Sequence, residues 1–204
     1  LASCSPKVSQ FDRETAQHQR IAVVPIHSTI KLTPKQMEKV SQSQLKDMEV
    51  AQSKDVQNAI ESYLVNRDLR VKIQSASITN SKLKDAGINL AKINDVDVTK
   101  LAKILGVDAV LSGSLETQKP MSDELASGLD IAKGLERSLL GTSFGSNVST
   151  STNKGHCNLS LFEAKNGDRL WTFNDDIELA NGSTTQDIVN TLMKKSAKAF
   201  PYKK

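Results

Sequence analysis

"LAKILGVDAVLSGSLETQ", residues 101–118, carries two structural signals in one stretch. Its first half belongs to a helix that Asp97 or Thr99 opens and Gly106 stops. Its second half, Asp108 to Gln118, reads as a strand. A helix that feeds directly into a strand is the repeating unit of an α/β domain. Gly113 inside the strand predicts either a close backbone approach or a bulge.

Working outward, the same alternation continues. Upstream, "RIAVVPI" (residues 20–26) is a short apolar run that reads as a buried strand ending at Pro25. Thr33 and Pro34 are a helix cap and first-turn proline. Apolar residues then recur at helical spacing to about Asn66, with a weak face at Gln52 to Asp55 where two helices are expected to meet. "LRVKIQSASI" alternates at Val71 and Ile73 and reads as a strand, and Asn80 to Gly87 as a short helix. Downstream, Met121 to Leu140 has the pattern of an amphipathic helix, with Leu125, Leu129, Leu135 and Leu139 on one side. Gly141 to Gly155 reads as a loop or irregular strand. Cys157, Leu159 and Leu161, an Asn166-Gly167 turn, then Trp171, Phe173, Ile177 and Leu179 form a hairpin pattern that only Asp175 interrupts. A last helix runs from Thr184 to Phe200, with Ile188, Leu192, Met193 and Ala197 inward. The expected fold is α/β: a mixed sheet of about five strands with flanking helices, ending in a β-hairpin and C-terminal helix. Residues 1–19 are expected as a lead, residues 20–204 as one α/β domain with a helical or loop insertion at about 119–155.

Composition narrows the function classes. Apolar residues make up 38% of the 204 and fall in clusters, which favours a folded core. No run approaches the roughly 18 apolar residues of a membrane-spanning helix. The net charge is +4 and only 4% of residues are aromatic. Basic residues without aromatic interleaving do not make a nucleic-acid surface. Lys194, Lys195, Lys198, Lys203 and Lys204 follow Asp187 with no acid between them. They complement the dipole of a helix C-terminus, or alternatively meet anionic headgroups.

The first four residues, Leu1, Ala2, Ser3 and Cys4, match all four positions of a bacterial lipobox. The thiol is needed there because the diacylglycerol is joined through a thioether. Small residues before it suit a processing peptidase. The polar stretch Ser5 to Gln19 then reads as a tether of at most about 50 Å. Cys4 is the expected lipid attachment, and more than one acyl chain makes such attachment stable. Ser5 rather than Asp after the cysteine points to the outer membrane, facing the periplasm. Cys157 is then expected to be a small buried hydrophobe, a Cys4–Cys157 disulfide being the alternative.

Three pieces, "IAVVPI", "LAKILGVDAVLSGSLE" and "LSLFEAKNGDRLWTF", occur in an order that resembles the domain shared by the lipoproteins CsgG and LpoB and the N-terminal domain of TolB. In that group a proline-ended first strand precedes a long helix. A later helix runs into a "GVDAV…G" strand, matched by Gly106 to Val110 and Gly113. A hairpin turn precedes a "LW" strand, matched by Asn166, Gly167, Leu170 and Trp171. The resemblance implies the fold and an envelope location. It transfers no single activity, since the group includes a secretion pore and an enzyme activator. A pore needs strands of roughly 9–11 residues with an apolar outward face. Gly141 to Gly155 offers only Phe144 and Val148 for that purpose.

Catalytic signals are weak. His18, in the lead, and His27 and His156, at strand ends, lack partners at metal-ligand spacing. "GTSFG" around Ser143 has no strand before it, so it is no nucleophile elbow. Asp95/Asp97 and Asp175-Asp176 are expected as solvated turns. No phosphate loop is present and no cofactor is expected. The sequence therefore suggests a non-enzyme, bound to the membrane through lipid on Cys4 and acting on a protein partner. Two alternatives stand beside this: a homo-oligomeric structural or secretion-gate component, and a small-ligand or glycan-binding module. The leucine face at Leu125, Leu129, Leu135 and Leu139 is either a partner-binding surface or core against its own sheet.

Overall fold

The computed structural model describes residues 9–38, 40–118, 153–179 and 183–204. In chain order these form α1 (Gln10–Glu14), β1 (Arg20–Val23), β2 (His27–Lys31), α2 (Pro34–Met37), α3 (Gln42–Val65), β3 (Lys72–Gln74), α4 (Ala76–Asp85), a 3-10 helix (Leu90–Asp95), α5 (Val98–Leu105), β4 (Ala109–Gln118), β5 (Asn153–Glu163), β6 (Arg169–Leu179) and α6 (Thr185–Ala199). The sheet is mixed and six-stranded, in the order β3-β1-β4-β5-β6, with β2 also on β4. β1 lies parallel to β3 and β4, while β4, β5 and β6 run antiparallel.

The stretch that announced the fold behaves as read. Asp97 caps α5 by accepting from the Lys100 N–H at 3.1 Å. Gly106 ends the helix at φ 67°, where a side chain would be strained. Gly113 is a close approach: a Cβ there would lie 2.1 Å from the Asn158 carbonyl oxygen on β5.

The sixth strand extends the expected sheet of about five. β1 and β2 lie end to end along β4, with Ile21 opposite Ala109 and His27 opposite Ser114. Pro25 interrupts the line but does not end it, because the Val24 N–H still reaches the Leu111 carbonyl at 3.0 Å. The helical break is a correction. It falls at residues 38–41, and α3 runs unbroken through Gln52 to Asp55. Ser41 restarts the chain as a cap, accepting from the Gln44 N–H at 3.2 Å while Gln44 accepts from the Ser41 N–H at 2.9 Å. The weak stretch is an inward face built of amides. Gln52 Nε2 donates to Thr117 Oγ1 at 3.1 Å, and Gln57 Nε2 donates to the Val23 carbonyl at 2.7 Å.

Apolar surface is buried on both sides of the sheet. On one side α3 and α6 cover it: Val56, Ile60, Leu64, Ile188 and Leu192 meet Ile21, Val23, Leu111, Leu115, Leu159 and Leu161. On the other, Leu83, Leu101 and Leu105 cover Ala22, Val24 and Val110. The α4–α5 layer covers the β1/β4 part, and Thr172, Asn174, Asp176 and Glu178 on the hairpin's outer face are exposed. Among the described residues no helix is long and apolar enough to cross a membrane.

Candidate functional site

The N-terminal lead is fastened to the domain from Ser9 onward, and the fastening is a buried polar cluster. Ser9 caps α1, and Phe11 packs edge-on against Tyr202 with ring centroids 5.0 Å apart. Asp108, at the mouth of β4, accepts from the N–H groups of Gln19 and Arg20 at 2.8 and 2.9 Å. Between these points His18 turns inward and is only 7% exposed. Its Nε2 lies 2.9 Å from Glu163 Oε2, and its Nδ1 lies 2.5 Å from the Tyr202 hydroxyl. A carboxylate only accepts, so Nε2 carries a hydrogen; in the neutral ring Nδ1 is then the acceptor and the Tyr202 hydroxyl donates to it. Burial pushes the Tyr202 phenol well above its ordinary range. The Arg70 guanidinium opposes that rise, and the charges of Glu163 and Asp108 add to it. The Tyr202 hydroxyl therefore keeps its proton. Arg70 stacks over its ring at 4.7 Å, donates to the Thr15 carbonyl at 2.7 Å, and also bonds the Thr15 hydroxyl.

Four distant parts of the chain thus meet in one clasp: α1 with His18, the turn after α3, the end of β5, and residues 200–204. A Glu-His-Tyr line has the order of an acid–base relay, but its terminal hydroxyl belongs to a residue 0% exposed. No substrate atom can reach it, so the line fastens the chain. The sequence reading placed His18 on a free tether. Its partners stand 145 and 184 residues away, and no local spacing announces them.

The other chemistry-bearing residues also have structural occupations. His156 Nδ1 sits 2.7 Å from Asp176 Oδ1 on the outer face of the hairpin. Asp175, on the inner face, pairs with Lys195 at 2.8 Å. Asp97 is held below the usual carboxylate range, chiefly by the Thr99 hydroxyl, as it caps α5. Cys157 is a free thiol, and burial, aided by the Asp175 charge, pushes it up to about 12. Among the described residues no group of three His, Cys, Asp or Glu side chains could hold a metal ion. Cys4, Leu125, Leu129, Leu135, Leu139 and the Ser143 segment lie outside the described residues.

A cleft of about 340 Å³ lies at the opposite end of β1. One wall is the first half of α3, from Gln42 to Lys54; the other is Pro25, His27, Ser28, Leu90 and Ala91. Its lining combines apolar Pro25, Leu45, Val50 and Leu90 with the exposed cations Lys46 and Lys54 and the exposed His27. Glu49 is committed elsewhere, accepting the Ile30 N–H at 3.0 Å. The cleft sits beyond the carboxyl end of a parallel strand, where α/β sheets place ligands, and its volume is in the range of small-molecule pockets. Sequence reading did not find it, because its walls come together only after β1 and β2 align.

Clasp and cleft together define the class: a mixed α/β domain with its N-terminal lead fastened at one end and a concave site at the other. No family model matches the chain, and no curated protein matches it. Among solved structures it is similar to the lipoprotein GNA1162 from Neisseria meningitidis, at 17% identity and a TM-score of 0.44, covering 89% of this chain and 96% of that one. It is similar to the PelC dodecamer from Paraburkholderia phytofirmans, at 12% identity and a TM-score of 0.41, covering 87% and 85%. It is similar to the LpoB C-terminal domain from Salmonella enterica, at 7% identity and a TM-score of 0.38, covering 82% and 91%. Likeness at this distance assigns neither a family nor an activity to the chain.

Proposed function

We propose that the protein is a lipid-anchored accessory protein of the bacterial cell envelope, attached through Cys4 and acting by binding another protein, not by catalysis. The observation that carries this reading is the run Leu1-Ala2-Ser3-Cys4 standing five residues ahead of Ser9, where the chain is fastened to the domain. Further support comes from the titratable groups, since His18, Glu163, Tyr202, Asp108 and Cys157 are spent on clasp and core. In this reading the domain faces the periplasm from the outer membrane, and Leu125, Leu129, Leu135 and Leu139 form the partner-binding face. The test is the intact mass of the chain made behind an export signal ending in its own first four residues. A diacylglycerol mass on Cys4, lost in Cys4→Ala together with release into the soluble fraction, is the expected result. An unmodified Cys4 on a soluble protein overturns the anchor. For the partner face, Leu129→Asp should abolish crosslinking to envelope proteins while leaving the unfolding midpoint unchanged; a lowered midpoint would make the face core.

The cleft favours a second reading, a small-ligand module. Apolar walls beside two lysines suit a ligand with one anionic group. Shifts of the Leu45, Val50 and Lys54 resonances on titration with a carboxylate-bearing amphiphile would support it, and an unperturbed spectrum would reject it.

A further inference from the structure

We infer that the clasp end of the domain, made by α1, the turn after α3 and residues 201–204, is the face that rests on an anionic lipid bilayer. The orientation rests on lipid attachment at Cys4; the affinity of the face for anionic lipid does not. Reach is the first argument. From Cys4 to Ser9 the chain spans at most about 17 Å in any conformation. α3 has 24 residues, so it separates the two ends of the domain by about 36 Å. A lead of that length brings the clasp end to the bilayer and leaves the cleft end away from it.

Charge is the second argument. The carboxylates at this end are largely occupied: Asp68 pairs with Lys204 at 2.5 Å and Asp12 lies 3.6 Å from Arg70. Arg13, Lys198 and Lys203 are exposed and have no carboxylate partner among the described residues, and Arg67 spends its Nη1 on the Ala197 carbonyl. Three exposed acids stand at this end: Asp12 and Asp68, in the pairs just given, and Glu14, bonded to Gln10 at 2.8 Å. The third argument is apolar. Val65, at the C-terminal end of α3 beside this turn, is 60% exposed, which suits the boundary between headgroups and chains. Exposed basic side chains at the same end as an exposed aliphatic one match an anionic headgroup layer, where each lysine or arginine near the surface contributes about 1 kcal/mol and salt weakens the effect.

The test uses the full chain carrying Cys4→Ala, so that no lipid contributes. Its flotation with phosphatidylcholine vesicles is compared with flotation on vesicles that also contain phosphatidylglycerol, at low and high salt. Binding at low salt should rise at least about tenfold with phosphatidylglycerol and fall at high salt. The pair Arg13→Glu with Lys203→Glu should remove the preference; the cleft pair Lys46→Glu with Lys54→Glu should keep it. No preference, or equal loss from both pairs, overturns the inference. Lipid on Cys4 is read separately by mass, so the two proposals fail independently.

Discussion

Replacing Tyr202 by Phe is the sharpest probe of the clasp, because it removes one hydroxyl and leaves the ring. The packing survives: the ring still meets Phe11 at 5.0 Å, Phe200 at 5.6 Å and the Arg70 guanidinium at 4.7 Å. The donor to His18 Nδ1 is lost, and that nitrogen stays in a residue 7% exposed. An unsatisfied buried acceptor costs about 1–3 kcal/mol. Turning the ring to seek water would break the 2.9 Å contact with Glu163, so the cost is not easily avoided. Urea unfolding should show a fall of about 1–3 kcal/mol with an unchanged slope. The loss should also appear locally. Each 1.4 kcal/mol raises the population of the open lead about tenfold, so trypsin should cut after Arg13 at least several times faster. In a double-mutant cycle with His18→Phe the two losses should be less than additive, because both remove one bond. An unchanged midpoint together with an unchanged cleavage rate would refute the clasp as a bonded unit.

Three further outcomes follow from the packing. Gly113→Ala should destabilise the domain by about 1–3 kcal/mol, since its methyl group would strike the backbone of β5 at Asn158 and Leu159; thermal unfolding reads this. Gln57→Leu should cost about 1–3 kcal/mol in urea unfolding, because the Val23 carbonyl loses its 2.7 Å partner at the Pro25 interruption. The protein should weaken in alkali. The Cys157 thiol is raised in the folded state from 9.0 to about 12, so its contribution is complete below pH 9.0 and is lost as the pH climbs towards about 12. Tyr202, raised above 10.0, acts in the same direction. Cys157→Ala should flatten part of that slope of unfolding midpoint against pH, and an identical slope would show that the thiol does not contribute.

Local chemistry was legible where a residue acts on its neighbours. Asp97, Gly106 and the Asn166-Gly167 turn are cap, stop and reversal within a few residues of what they control, and each performs that role. The alternation Cys157, Leu159, Leu161 is equally local, and all three side chains are fully buried. The strand "HSTIK" escaped notice because only Ser28 and Ile30 point inward, and serine reads as solvent-facing. The helix break expected at Gln52 to Asp55 is absent for the same reason: Gln52, Ser53 and Gln57 are buried, and an amide satisfied by tertiary partners carries no hydrophobic signal. The clasp and the cleft lay beyond sequence reading, because both depend on chain segments that only the sheet brings together.

The topology itself relates the two ends. The lead enters the sheet at the amino end of β1, beside Asp108, so anything attached ahead of it is attached at that end. β1, β2 and β4 run parallel from there, and the helices α3 and α5 return the chain on opposite sides. The carboxyl end of β1, where the cleft opens, is therefore directed away from the lead by the strand direction alone. A lipid on Cys4 would set the clasp against the bilayer and present the cleft outward without any further device. Lengthening the lead should then free the domain from the lipid surface while leaving clasp and cleft intact. Solvent accessibility at Val65 on lipid-bound protein would record it: low with the native lead, restored by a long flexible insertion between Cys4 and Ser9. Equal accessibility with both leads would show that the domain is not held by its short reach, whatever its anchor.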